Sequence, residues 1–142
     1  IGEMAGKVLP EAFTCFTLSL DNLSELTKRF GYTVGDGVLK DFAGLVQLMG
    51  DTEGMRGYNG VGRFVVFFEE CSSKKAAAMI RILDNQVEEY NSLNPEYPIR
   101  YTAAWATTEE TDTYEIRELL RLSQKKWKQM EKEKKDKTEE ET

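Results

Sequence analysis

Gly57–Phe68 reads GYNGVGRFVVFF, and the fold turns on it. Gly60 and Gly62 flank Val61 ahead of an unbroken bulky run, Phe64-Val65-Val66-Phe67-Phe68. Glycine supplies the positive φ that a tight hairpin needs, and aromatic and β-branched residues favour strands. The stretch predicts a central β-hairpin whose tip, Gly60-Val61-Gly62, carries no polar side chain.

Upstream, residues 1–10 (IGEMAGKVLP) predict the last turns of a helix broken by Pro10. Ala12 to Leu20 (AFTCFTLSL) is almost uncharged and rich in aromatic and β-branched residues, the composition of a strand covered on both faces. Asp21 follows it, placed to cap the next helix. Leu23, Leu26 and Phe30 have helical spacing within Asn22 to Thr33. Gly31-Tyr32 and Gly35-Asp36-Gly37 predict breaks, after which Val38, Leu39, Phe42, Leu45, Val46 and Met49 mark a second helix ended by Gly50.

Downstream of the hairpin, Ser72-Ser73 starts a helix with Ala76, Met79, Ile80, Leu83, Val87 and Tyr90 on its buried face, ended by Asn94-Pro95. Tyr97 to Thr107 places Ile99, Tyr101, Ala103 and Trp105 on one face of a strand. Thr111 or Thr113 can cap a last helix that carries Ile116, Leu119, Leu120, Ser123, Trp127 and Met130 in register. The final run, EKEKKDKTEEET from Glu131 to Thr142, has no apolar residue and predicts a helix end or a charged linker. Strand, two helices, hairpin, helix, strand and helix together give an α+β sandwich, a sheet with helices against its faces. The domain spans residues 1–130 and the tail 131–142.

Composition limits the chemistry. The 142 residues suffice for one domain with a core, and no apolar run is long enough to span a bilayer. A formal net charge of −6 argues against a nucleic-acid surface. There is no histidine, which removes Ser-His and Cys-His nucleophiles and histidine-held zinc or iron. Catalysis would have to run on carboxylates, lysines or carboxylate-held magnesium. Cys15 and Cys71 sit in apolar stretches as buried thiols, consistent with a reducing, cytoplasmic compartment. An opening Ile1 in place of methionine points to a segment of a longer protein, and direct membrane contact by this domain is not expected.

Two motifs carry a resemblance. Gly31-Tyr32-Thr33-Val34-Gly35-Asp36-Gly37-Val38-Leu39 is similar to the Gly-His-x-x-Gly-Asp-x-x-Leu element of GGDEF domains, the bacterial diguanylate cyclases. Gly60-Val61-Gly62-Arg63-Phe64 falls, at matching spacing, where that family has Gly-Gly-Asp/Glu-Glu-Phe. Leu119-Leu120 and Ser123 resemble the family's Leu-Leu-x-x-Ala-Asp helix. The resemblance implies a nucleotidyl-cyclase or polymerase-palm-like fold, with a central antiparallel-rich sheet flanked by helices. It also implies a two-metal reaction joining GTP molecules into cyclic di-GMP, with carboxylates holding Mg²⁺.

Carried over position by position, the resemblance puts the first-strand metal aspartate on Ser19 and the two hairpin acids on Gly62 and Arg63. Phosphate-side lysines fall on Ser24 and Glu131, and the last basic phosphate contact falls on Lys135. The guanine-reading asparagine becomes Thr27, while its partner aspartate is kept as Asp36. The product-inhibition motif Arg-x-x-Asp falls on Asp51-Thr52-Glu53-Gly54, so its arginine is lost. Magnesium binds through carboxylates and phosphates, and Ser19, Gly62 and Arg63 offer it a hydroxyl, nothing and a repelling cation.

Plainer readings stand beside these. Asp36 is also explained as a helix cap, Arg63 as an exposed hairpin arginine, and Gly60 and Gly62 by turn geometry. Trp105 and Trp127 fall at core-facing positions. The expectation is a degenerate GGDEF domain without catalytic residues, metal or cofactor, acting as a regulatory or interaction module. Its partners would be other domains of its polypeptide, other signalling proteins or a second copy. The alternative is a sensor that binds GTP or another nucleotide and controls a neighbouring effector domain, and a third reading is an active diguanylate cyclase. An enzyme of altered chemistry built on Asp21 or Asp36 has no convergent pair of titratable groups behind it in the sequence.

Overall fold

The computed structural model describes residues 12–49, 55–58, 62–68, 71–110 and 115–141. The expected opening helix, the product-inhibition stretch Asp51–Gly54, the tip residues Gly60 and Val61, and the caps Thr111 and Thr113 lie outside them. The elements are β1 (Thr14–Leu20), α1 (Leu23–Phe30), α2 (Tyr32–Leu48), β2 (Met55–Tyr58), β3 (Arg63–Phe68), α3 (Ser73–Leu93), β4 (Tyr101–Thr107) and α4 (Ile116–Glu141). A single 3₁₀ turn, Thr108–Glu110, follows β4.

The four strands form one antiparallel sheet in the order β2-β3-β1-β4. Every residue of β1 is buried, as its uncharged sequence predicts. Side chains alternate across a strand, so the sheet has two differently composed faces. Phe16, Leu18 and Leu20 join Phe64, Val66 and Ala103 in the main core with Leu26, Val38, Phe42, Val46, Met79, Leu83 and Val87 from α1, α2 and α3. Phe42 meets Phe64 edge-on at 5.6 Å, which seats α2 on β3. The opposite face carries Cys15 and Ala106 under Leu119 of α4, with Val65 and Phe67 alongside.

That second face is unusually polar. Thr17 Oγ1 lies 2.7 Å from Ser123 Oγ, and Cys15 Sγ lies 3.3 Å from the same oxygen. Burial pushes the Cys15 thiol up to about 11, with the Ser123 hydrogen bond opposing. Cys15 and Cys71 are buried free thiols, as expected. The buried residues Leu119, Ser123 and Trp127 recur every fourth position of α4, the i, i+4 row that a helix presents to a flat sheet. Ile116 and Met130, expected in the same register, are 47% and 36% exposed because they lie off this row.

Three local expectations are corrected. Gly35-Asp36-Gly37 does not break the chain: α2 begins at Tyr32 and runs through it. Gly35 is buried against α1, where a Cβ would lie 2.3 Å from Thr27 Oγ1, so this glycine serves close helix contact. The break is Gly31 alone, at φ 98° and ψ 165°, a region open essentially only to glycine. Asp36 is therefore not a helix cap and instead pairs with Lys40 at 3.2 Å within α2. Asp21 is not a cap either; α1 has Asn22 at its N-cap, without a side-chain cap bond. Asn22 uses its amide on the Pro98 carbonyl oxygen and on Arg100 N–H. Ser72, in contrast, caps α3 as expected, accepting from Lys75 N–H at 3.1 Å.

Candidate functional site

The end of β1, the start of β3 and the start of β4 meet under the C-terminal half of α4. Antiparallel register sets Ser19 opposite Arg63 on one side and opposite Thr102 on the other. Leu20 N–H donates to the Gly62 carbonyl oxygen at 2.8 Å, so the hairpin tip is tied to the strand end. Sequence reading placed Ser19, Gly62 and Arg63 in one site, and the sheet brings them together.

Gly62 has φ +81° and is buried. A Cβ there would lie 3.3 Å from Leu23 Cδ2 and 3.4 Å from the Leu20 carbonyl oxygen. The glycine is a requirement of backbone conformation, as hairpin geometry predicts. Arg63 is exposed, yet its guanidinium stacks 4.3 Å over the Trp127 ring, a contact worth about 0.5–1 kcal/mol at an exposed site. Phe64 belongs to the core.

Trp127 is buried, as its position predicted, and its indole also makes a polar contact. Its Nε1–H donates to Ser19 Oγ at 2.8 Å. Ser19 Oγ in turn donates to Asp21 Oδ1 at 2.7 Å, with Glu131 Oε2 at 3.3 Å. Thr102 Oγ1 donates to Asp21 Oδ2. Asp21 thus turns back onto the α4 side of the sheet rather than onto α1. A carboxylate within reach of two hydroxyl donors is better satisfied there than at a helix end that Asn22 already occupies.

Glu131 lies one turn beyond Trp127 on the same row of α4. Burial pushes its carboxyl above the ordinary range, and the neighbouring Asp21 carboxylate adds to this through a shared hydrogen bond and charge repulsion. Hydrogen bonds from Thr102 and Ser19 oppose the rise. A convergent pair of titratable groups is therefore present, contrary to the expectation that none existed. Lys134, a further turn along, donates to the Tyr101 carbonyl oxygen and to Thr102 Oγ1, each at 2.7 Å. Asp21, Arg100, Tyr101, Glu131, Lys134 and Lys135 line an open cleft of about 600 Å³.

The charged run that starts at Glu131 continues α4 to Glu141, and Glu131 and Lys134 dock on the sheet. Lys135, the expected basic contact, does line the cleft. Thr27 and Asp36 do not; they lie on α1 and α2, with Thr27 packed on Gly35 and Asp36 paired with Lys40. Sequence reading missed Thr102 and Lys134 and misplaced Asp21. The available signal was the four-residue row Leu119, Ser123, Trp127, which extends to Glu131.

A hard divalent cation needs several oxygen ligands, carboxylates foremost. At the hairpin, Gly62 supplies no side chain, Arg63 supplies a cation, and the Ser19 hydroxyl is engaged by Trp127 and Asp21. Among the described residues no group of three or more His, Cys, Asp or Glu converges on a metal position. The residues present do not fit a two-metal centre. No described helix is long and apolar enough to cross a membrane.

Residues 5–137 match the family model "Diguanylate cyclase, GGDEF domain". The fold is similar to that of the active GGEEF domain of a diguanylate cyclase from Vibrio cholerae, with TM-score 0.76 and 19% identity over 87% of this chain and 78% of that one. An EAL/GGDEF domain protein from M. capsulatus aligns with TM-score 0.69 and 14% identity, over 87% of this chain and 80% of that one. A microbial GGDEF domain studied with bis-(3′,5′)-cyclic di-GMP aligns with TM-score 0.62 and 23% identity, over 84% and 70%. No curated protein matches the chain.

Proposed function

The chain belongs to the GGDEF family of diguanylate cyclases, and from that premise we propose that it is a member that has lost the reaction and kept the fold as a regulatory or interaction module. The observation that carries this is the trio Ser19, Gly62 and Arg63, which the sheet holds together where the family resemblance implies metal-binding and catalytic acids. The Vibrio cholerae relative described as active carries GGEEF; here the corresponding stretch is Gly60-Val61-Gly62-Arg63-Phe64.

The residues around the strand end satisfy one another. Trp127 holds Ser19, Arg63 lies on Trp127, and Asp21 is engaged by Ser19 and Thr102. Among the described residues of the hairpin, Arg63 is no general base, because an arginine stays protonated at every physiological pH. The domain would act through its surfaces, on other domains of its polypeptide or on other signalling proteins. Incubation of the purified chain with GTP and Mg²⁺, followed by chromatography, should yield no cyclic di-GMP. Accumulation of that product above a boiled control would sink the proposal.

A second reading, a guanine-nucleotide sensor for a neighbouring effector domain, is favoured by Arg100 and Lys135 on the open cleft, where basic side chains can meet phosphates. Calorimetry with millimolar GTP, GDP and cyclic di-GMP decides it; no heat with any of them removes this reading and leaves the first.

A further inference from the structure

β4 is an outer strand of the sheet: β1 pairs with one side of it, and among the described residues no strand pairs with the other. The ladder with β1 fixes which backbone groups face outward. Asp21 N–H donates to the Arg100 carbonyl oxygen at 2.7 Å, and Thr108 N–H donates to that of Phe13 at 3.1 Å, so Arg100 and Thr108 turn toward β1. Antiparallel pairing alternates the two sides of a strand. Thr102, Ala104 and Ala106 therefore face β1 as well, while Tyr101, Ala103, Trp105 and Thr107 turn their N–H and C=O groups outward.

The chain itself occupies both ends of this outward row. Thr107 N–H donates to Glu110 Oε1 at 2.8 Å, and the Tyr101 carbonyl oxygen accepts from Lys134 at 2.7 Å. Between them, the outward groups of Ala103 and Trp105 have no hydrogen-bond partner among the described residues. A groove of about 480 Å³ opens beside this gap. Ala104, Trp105 and Met130 give it apolar lining, with Lys126 and Gln129 of α4 and Ser73 of α3 around them.

We propose that the open edge at Ala103 and Trp105 is a docking site for an extended peptide segment of a partner protein, which pairs with β4 as an added strand and lays apolar side chains against Met130 and Trp105.

The edge groups select the occupant. Two donors and two acceptors repeat two residues apart, about 6.8 Å along the strand. An extended backbone meets that spacing, and a helix, whose own N–H and C=O groups are already paired, does not. Side chains of an added strand alternate between the two faces of the sheet, so one set meets Met130 and Ala104 on the α4 face and the other meets Trp105. A second copy of this chain is the poorer occupant. It would bring its own α3 and α4 along with its β4, against the walls that Ser73, Lys126 and Gln129 already form, whereas a bare segment brings neither helix. The site is distinct from the hairpin, because β1 separates β4 from β3. It supplies a surface for the interaction-module reading without resting on it, since the edge is open whether or not the domain makes cyclic di-GMP.

Amide hydrogen exchange read by nuclear magnetic resonance tests the edge first, with no ligand. In the free chain the Ala103 and Trp105 amides should exchange roughly tenfold or more faster than those of Thr102 and Ala104, which are bonded to β1. The probe is then the peptide acetyl-Thr-Val-Thr-Val-Thr-amide. It should bind saturably, with Kd at or below about 1 mM, and slow exchange at Ala103 and Trp105. The same peptide N-methylated at every residue keeps the side chains, loses the donors and should not bind. Ala103→Pro removes an outward N–H while leaving the ladder to β1 intact, and should weaken peptide binding by about fivefold or more. Should that variant fail to fold, Met130→Glu, at a side chain 36% exposed, carries the same measurement. Ala103 and Trp105 amides as protected in the free chain as Thr102 and Ala104 overturn the proposal. So does the absence of saturable binding, or equal binding of the N-methylated peptide. Protection of the same amides that rises with protein concentration alone assigns the edge to a second copy and overturns it too. Formation of cyclic di-GMP by the chain would refute the loss of the reaction and change none of these outcomes.

Discussion

Replacing Gly62 by alanine should cost the domain about 1 kcal/mol, and the sign of that change tests the geometry of the hairpin. Three effects enter. The φ of +81° puts the backbone in the left-handed region, where a Cβ costs roughly 1–2 kcal/mol. The new methyl would stand 3.3 Å from Leu23 Cδ2, the movable end of a side chain, and 3.4 Å from the Leu20 carbonyl oxygen. That backbone cannot retreat freely, because Leu20 N–H is bonded to the Gly62 carbonyl oxygen at 2.8 Å. Opposing both, alanine lowers the entropy of the unfolded chain, which returns about 0.4–1 kcal/mol.

Gly44 supplies the control. It lies inside α2 and a Cβ there meets nothing within 4 Å. Gly44→Ala should therefore stabilise by about 0.5–1 kcal/mol. The assay is urea denaturation followed by the fluorescence of Trp105 and Trp127, with midpoints compared at unchanged slope. Midpoints that move in opposite directions support the reasoning. Should Gly62→Ala move the midpoint upward as Gly44→Ala does, the left-handed backbone at Gly62 is wrong. Gly62→Asp, which returns an acid to the hairpin, meets the same backbone, eased because aspartate visits this region more readily.

Ser123→Ala should destabilise by about 1–3 kcal/mol, because the buried Thr17 hydroxyl and Cys15 thiol lose their shared partner. Adding Thr17→Val should recover part of that loss in equilibrium denaturation; strictly additive losses would contradict the contact. Glu131→Gln tests the acidic pair. The folded-state pKa of Glu131 lies above its ordinary 4.5, so the folded chain holds the proton more tightly than the unfolded one between the two values. The group's favourable contribution is full below 4.5 and is lost as pH rises through the raised value. The melting temperature of wild type relative to Glu131→Gln should therefore fall as pH rises from below 4.5 toward neutrality. A difference that is flat with pH would remove the pair.

The candidate site was legible in part. Ser19, Gly62 and Arg63 were grouped because the family resemblance places its acids on them, and the long-range pairing of β1 with β3 sets Ser19 opposite Arg63. Thr27 and Asp36 were paired by the family resemblance, and the structure sets Thr27 against Gly35, the neighbour of Asp36 in α2, with Asp36 also paired to Lys40. Asp21 was assigned to a helix cap because aspartate after a strand and before a helix usually serves there. Its true partners are Ser19, Thr102 and Glu131, and the last two are distant in sequence. Residues 131–142 were set apart as a tail because they contain nothing apolar. Glu131 and Lys134 nonetheless dock, through hydrogen bonds that a hydrophobic pattern does not register.

The sequence by itself determined the order of elements, the hairpin, the two-sided burial of β1 and the absence of acids at the hairpin. These follow from local chemistry: glycine freedom, side-chain periodicity and residue identity. Only the tertiary structure decided what stands beside Ser19 and Arg63. Trp127 and Glu131 reach the end of β1 because α4 crosses the sheet with every fourth residue facing it, and Lys134, three residues on, reaches Tyr101 and Thr102 of β4. No local pattern fixes where that crossing falls, since it is set by how Leu119 and Ser123 pack on Cys15, Thr17 and Ala106.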